Sequence, residues 1–316
     1  MVEGEELGRE LVAAINQVWG EHTGYRAAHA KGSCCRGTFT ATEAAAQVSR
    51  AGHLQGDPLP ATVRFSNGSG SPQLPDYARD GRGMAVKVNL ADGSYIDMVG
   101  LTLATFFVRT PEEFIAFMRA SVRDQKTRDY DLGRIGAFLA EHPETQRAFE
   151  SEIGQELPAS YLRCRYHGIH AFRLVDAGGR GRYFRYRWEP EGGTEPISRE
   201  EARQHGRDYL QEDLKRRLDR GPARFELYFQ LAAEGDSVDD PTAPWPEDRQ
   251  QVLAGTLELT EAMPADECEP LIFDPTNLVD GVELSSDPVL HARRLAYSVS
   301  IERRLEVAAR QNPEPR

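Results

Sequence analysis

Arg293 and Tyr297 stand four residues apart in a C-terminal run that reads as helix, ARRLAYSVSIERR. That spacing brings two side chains together on one helix face. A guanidinium held against a phenol hydroxyl favours the phenolate, whose ordinary pKa is about 10. Arg304 lies seven residues beyond Tyr297 and falls on the same face. A second pair, Arg64 and Ser66, sits in VRFS, where the period of a strand puts both on one side. If that side is apolar, each needs a polar partner. A third candidate is His29 in RAAHAKG, three residues after Arg26. Imidazole is the commonest general base, although a lone histidine is ordinarily a surface or satisfied core residue.

These residues stand in a chain of 316 residues with a formal charge of −12. An acidic net field repels phosphate, which excludes a general nucleic-acid binder. Leu, Val, Ile and Phe are plentiful enough to exclude global disorder. Only four of the 38 basic residues are lysines. Most of the arginines reflect composition, but a few suit a carboxylate or phosphate, which Arg grips with two parallel hydrogen bonds and Lys does not. No apolar run reaches the length of a membrane span. The acidic, amphipathic start, MVEGEELGRELVAAINQVWG, is no signal peptide. Four cysteines, with Cys34 and Cys35 adjacent, make a poor disulfide framework. Cys34 and Cys35 read as small buried hydrophobes. This usage predicts a protein of a reducing compartment, the cytoplasm.

Several elements must position these side chains. Helical spacing runs over 5–19, and a short helix over 42–50 takes Thr40 or Thr42 as its cap. Residues 25–39 read as loop or strand, and 61–66 alternate like a strand. A long Gly, Ser, Pro and Asp segment follows over 67–83. Strands 84–90 and 95–101 meet at Asp92-Gly93, a hairpin signal. A helix over 111–121 has Thr110 as cap and Pro111 at its first position. Residues 132–153 read as helix interrupted at Pro143, and 169–175 pairs with 182–189 in a second hairpin. Residues 198–219 read as one helix, 225–232 and 252–261 as strands, and 287–310 as a helix opened by Asp-Pro. Hairpins joined by long excursions predict an α+β fold on an antiparallel sheet or barrel. Gly68-Ser69-Gly70 is followed by prolines rather than a helix, which argues against a phosphate loop.

In order and residue type, three blocks resemble the haem catalases, specifically the small catalase-related peroxidases. The blocks are RAAHAKG with RGTF; VRFSNGSG with RDGRGMAVKV, DMVG and FFVRTPEEF; and FDPTNLVDGVELSSDPVLHARRLAYSVSIERR. The resemblance implies an antiparallel β-barrel of the catalase type with surrounding helices, a single haem-binding domain over 1–316, and a buried haem b. It makes Tyr297 the axial iron ligand, with Arg293 holding its charge. It makes Arg26, Arg64 and Arg304 the partners of the haem propionates, and places Phe114 near the haem face, with Phe106 and Phe107 around it. His29 becomes the distal residue that takes a proton from peroxide and returns it to the leaving oxygen. Ser66 orients that ring.

The pattern also departs from the catalases. They follow the Val-Gly pair with two asparagines, the first a donor to peroxide; here Val99-Gly100 leads into Leu101-Thr102. Thr102 offers a hydroxyl one position later and is the candidate substitute. Gly68 falls where catalases carry a valine, which implies added room. Losing the donor and gaining space both weaken peroxide disproportionation. The expectation is a haem peroxidase that reduces hydrogen peroxide or organic hydroperoxides while oxidising a small donor, with weak catalase activity. A lipid-hydroperoxide isomerase or dehydratase is the alternative on the same scaffold, and a haem carrier or sensor the alternative of another class. The expected assembly is a monomer or homodimer.

Overall fold

Phe225, Leu227, Phe229 and Leu231 are buried while the residues between them are not. This alternation is what one buried face of a strand requires, and it recurs along the chain. The computed structural model describes residues 2–311 apart from 125, 128 and 155; the rest of the predicted 1–316 unit lies outside the described residues. The chain runs through α1 (Val2–Trp19), β1 (Gly32–Ala41), α2 (Glu43–Val48), β2 (Leu59–Asn67), β3 (Arg82–Asn89) and β4 (Tyr95–Leu101). It continues through α3 (Pro111–Ala120), α4 (Leu132–Glu141), α5 (Pro143–Gly154), β5 (Leu157–Pro158), β6 (Tyr166–Val175) and β7 (Gly181–Pro190). Then come β8 (Pro196–Ile197), α6 (Arg199–His205), α7 (Tyr209–Leu218), β9 (Ala223–Leu231), β10 (Gln251–Ala262), α8 (Ala265–Cys268), β11 (Val282–Leu284) and α9 (Pro288–Gln311).

The strands pair in the order β6-β4-β3-β2-β1-β10-β9-β7, and β7 returns to β6. Every pairing is antiparallel, so eight strands close a barrel and leave no open edge among them. β11 lies outside it on β6, and β5 pairs with β8. The barrel interior is filled by Phe39, Phe65, Tyr161, Tyr166, Trp188 and Phe225, so it is a core and not a channel. Outside it, α1, α3 and α9 build a second core from Leu11, Ala14, Ile15, Ile115, Met118 and Ala292. No described helix is long and apolar enough to cross a membrane.

Most predicted elements are present. Thr42 caps α2, its hydroxyl accepting from the Ala45 N–H at 3.3 Å. Thr110 caps α3 in the same way, at 3.1 Å from the Glu113 N–H. The β3–β4 hairpin turns at Asp92-Gly93, with Asn89 opposite Tyr95. Two expectations fail. The single helix over 198–219 is two, broken at Gly206, whose φ of +106° is a conformation side-chain-bearing residues rarely adopt. The cysteines are not all free: Cys34 and Cys268 form a disulfide across 234 residues of sequence. Adjacent Cys34 and Cys35 face opposite ways on β1, as strand geometry demands. Cys35 enters the barrel core, and Cys34 reaches α8. The partner's position is a tertiary fact that spacing does not encode. With this bridge formed, cysteine usage no longer favours a reducing compartment.

Candidate active site

A cavity of about 380 Å³ lies between the barrel and the layer of α1, α3 and α9. Strand alternation supplies its barrel wall. On β2, Val63 and Phe65 fill the barrel, and Arg64 and Ser66 face the cavity. On α9, Arg293, Tyr297 and Arg304 line the opposite wall together with Ala292, Ala296 and Ser300. The structure thus brings together His29, Ser66, Arg26, Arg64, Phe114, Arg293, Tyr297 and Arg304. Phe106 and Phe107 join them, and Phe106 stacks parallel to Phe114 at 6.3 Å.

His29 sits just before β1 with φ of +55° and is the one non-glycine residue with positive φ among those described. Histidine tolerates this region better than most residues. Its amide donates to the Gly68 carbonyl at 3.1 Å, and the next amide donates to the Ser69 carbonyl at 3.0 Å. Its Nδ1 lies 3.0 Å from Ser66 Oγ. A Cβ on Gly83 would fall 2.8 Å from that hydroxyl and 3.0 Å from the ring, so the pair needs a glycine behind it. Burial, with help from Arg64 and Arg293, pushes the His29 pKa down to about 3. The imidazole is therefore neutral at physiological pH, the form that accepts a proton.

Across the cavity, the Arg293 guanidinium donates to Tyr297 Oη at 2.6 Å. Burial opposes the charge on Arg293, but Tyr297 beside it outweighs that and raises its pKa. Behind Arg293 lies a pair that the sequence reading missed. His170 Nδ1 is 2.6 Å from Asp287 Oδ2, and both are buried. The other Asp287 oxygen accepts from the Val289 and Leu290 amides and so caps α9. The Asp-Pro helix start was legible in the sequence; its partner on β6 was not.

At one end of the cavity three arginines converge. Arg26 bonds Glu269 Oε2 at 2.7 Å and the Leu271 carbonyl at 2.8 Å. Arg304 donates to the Glu269 carbonyl at 2.7 Å. Arg64 donates to the Ala30 carbonyl at 3.2 Å. Burial first, and repulsion from Arg26 second, lower Arg64 to about 9 and Arg304 to about 10. Nε of both Arg64 and Arg304 is buried without a hydrogen-bond partner. One carboxylate, Glu269, faces three guanidiniums, so the cluster suits further negative charge.

Two expected features differ. Thr102 does not line the cavity. Its hydroxyl accepts from the Arg82 N–H at 3.0 Å, and its own N–H donates to the Arg82 carbonyl at 2.9 Å, so it continues the β3–β4 ladder. Leu101 lines the wall instead, as alternation along β4 requires. Gly68 does line the cavity, but the room it leaves is partly taken. A Cβ there would lie 2.8 Å from Asp80 Oδ1. Asp80 belongs to the cavity wall and was not foreseen.

A catalase family profile matches residues 9–314. This chain belongs to the catalase family. It is 41% identical over 303 residues to a catalase-related peroxidase of Mycolicibacterium paratuberculosis, covering 94% of this chain and 95% of that one. A catalase-related peroxidase of Synechococcus elongatus is 33% identical, with 93% and 88% covered. A fungal catalase structure superposes with a TM-score of 0.82 at 28% identity, over 90% of this chain and 60% of its own. The catalase-family chain described here thus spans about three-fifths of that larger catalase. The family implies haem, and the residues present fit it. Tyr297 offers a phenol oxygen that accepts from the Arg293 guanidinium. The arginine end offers unpaired buried donors to carboxylates, and the walls between are largely apolar.

Proposed function

We infer that this catalase-family protein is a haem b peroxidase that reduces hydrogen peroxide or organic hydroperoxides at the expense of a small donor, with little catalase activity. In this reading Tyr297 ligates the iron, Arg293 holds negative charge on its oxygen, and Arg26, Arg64 and Arg304 hold the propionates. Bound there, haem supplies the redox chemistry that divides an O–O bond. Reducing ROOH to ROH and water takes two electrons and two protons, which the donor provides.

The chain's own residues manage the protons and the solvent. Neutral His29 takes the proton from the peroxide oxygen and returns it to the leaving oxygen, so no hydroxide or alkoxide has to depart. Ser66 fixes the ring through Nδ1. Val99, Leu101 and Phe106 present an apolar surface beside it. Apolar walls exclude water and strengthen the field of Arg64 and Arg293 on the site.

The observation that carries weak catalase activity is Leu101 at the cavity wall. It has no donor with which to hold a second peroxide in position for oxidation to dioxygen. The deciding experiment compares oxygen release with donor oxidation in the haem-loaded protein at equal peroxide. Donor oxidation should exceed oxygen release. Oxygen release at a comparable rate overturns the assignment. Products formed from a lipid hydroperoxide with no donor present would favour the isomerase reading instead.

A further inference from the structure

Away from the haem cavity, three ligating side chains meet where the α4–α5 junction rests on α3. Glu113 lies in the first turn of α3, His142 is the C-terminal cap of α4, and Glu144 opens α5. One ligand atom from each lies within 4.8 Å of the others. His142 Nδ1 is 3.5 Å from Glu144 Oε1 and 4.0 Å from Glu113 Oε1, too far for hydrogen bonds.

The remaining atoms are already engaged. Glu113 Oε2 accepts from the Arg109 N–H at 2.7 Å. Glu144 Oε2 is 2.8 Å from the Arg109 guanidinium. The Glu144 side chain is 2% exposed, and both its oxygens are buried with no hydrogen-bond partner, Oε2 having only the Arg109 ion pair. The half-exposed Arg109 guanidinium thus pairs with Glu144, its backbone amide holds Glu113, and a buried Glu144 oxygen without a hydrogen-bond partner lies 3.5 Å from a histidine nitrogen. The His142 ring is steadied by Phe138, stacked at 4.1 Å.

We propose that Glu113, His142 and Glu144 bind a divalent cation of the zinc class, which latches the α4–α5 junction onto α3. Imidazole with two carboxylates suits zinc and its neighbours, and water completes the coordination. Ligand bonds of about 2.0–2.1 Å in a tetrahedron place donor atoms about 3.3 Å apart. The His142–Glu144 separation already approaches that value. Glu113, partly exposed at the surface, stands 4.0 Å from His142 Nδ1 and within 4.8 Å of Glu144, a gap that rotation of its side chain can close. The latch bears on the cavity, because Thr145 and Ala148, just beyond Glu144, line it. It is independent of the haem reading: failure to bind zinc leaves the peroxidase assignment standing.

The test is calorimetric titration of the haem-loaded protein with zinc chloride, repeated on His142→Ala and Glu113→Gln. The wild type should bind one equivalent with micromolar or tighter affinity. Each variant should lose about tenfold or more. Zinc at a hundredfold excess over its dissociation constant should raise the melting temperature by about 4 °C in the wild type, and by less in either variant. Glu113→Gln keeps an acceptor for the Arg109 amide, so it tests ligation even if His142→Ala folds poorly. Stoichiometric binding unchanged in both variants places the zinc elsewhere and overturns the proposal. So does no binding at high micromolar zinc.

Discussion

At the scale of single residues, the site depends on small clearances and on which charges are absent. The His29–Ser66 contact is closed from behind by Gly83. Gly83→Ala should keep haem but slow the reaction with peroxide by about 10- to 100-fold, because a misplaced base loses most of its advantage. Rapid-mixing absorption spectroscopy reads this directly. Burial holds the His29 pKa near 3. The rate of reaction with peroxide should therefore be flat from about pH 8 to pH 5, without the fall near pH 6.5 that an ordinary histidine gives. A pH profile of that single step, recorded on protein that remains folded, checks it. Leu101→Asn should raise oxygen release relative to donor oxidation, since it restores a donor at the wall that Leu101 occupies.

At the scale of elements, much of the site was legible because period and spacing carry it. Arg64 with Ser66 needed only strand alternation, and Arg293 with Tyr297 only the helical repeat. The same rule of alternation places Leu101 on the wall and turns Thr102 away, so the expected hydroxyl was assigned to the wrong face. Thr42 and Thr110 were readable as caps from residue type alone. Removing the α3 cap by Thr110→Ala should cost about 1 kcal/mol, measurable by denaturant unfolding. Its effect on peroxide turnover should be small, because Thr110 does not line the cavity. What escaped the sequence is long-range. His170 with Asp287, Arg26 with Glu269, and Cys34 with Cys268 each join segments more than 100 residues apart. No local period announces such partners. The break at Gly206 was missed for another reason: both halves of 198–219 have helical composition, and one positive φ separates them.

At the scale of the whole molecule, two cores and the cavity between them set the response to acid. His29 and His53 are held near pKa 3, chiefly by burial, and His167 and His170 near 4. Each stays neutral in the fold but takes up a proton in the unfolded chain below about pH 6.5. Their contribution to stability is therefore complete above that pH and is lost as pH falls toward 4. Asp97, pushed up to about 6 by burial, acts in the opposite sense over part of that range, one group against four. The melting temperature should fall steadily between pH 6.5 and pH 4.5. A constant value there would show that these histidines are not neutral in the fold.

The Cys34–Cys268 bridge has a consequence for cofactor retention. It fastens β1 to the turn whose Glu269 carbonyl and carboxylate accept from Arg26 and Arg304. Closing 234 residues removes roughly 5 kcal/mol of freedom from the unfolded chain on chain-entropy grounds. More locally, it tethers the segment that aims two of the three cationic groups at the pocket. Cys34→Ser should speed haem transfer to an apoglobin acceptor while leaving the initial spectrum unchanged. Equal transfer rates with and without the bridge would limit its role to the unfolded state. Faster transfer without the bridge would mean that the oxidation state of two buried sulfurs governs how long the prosthetic group stays.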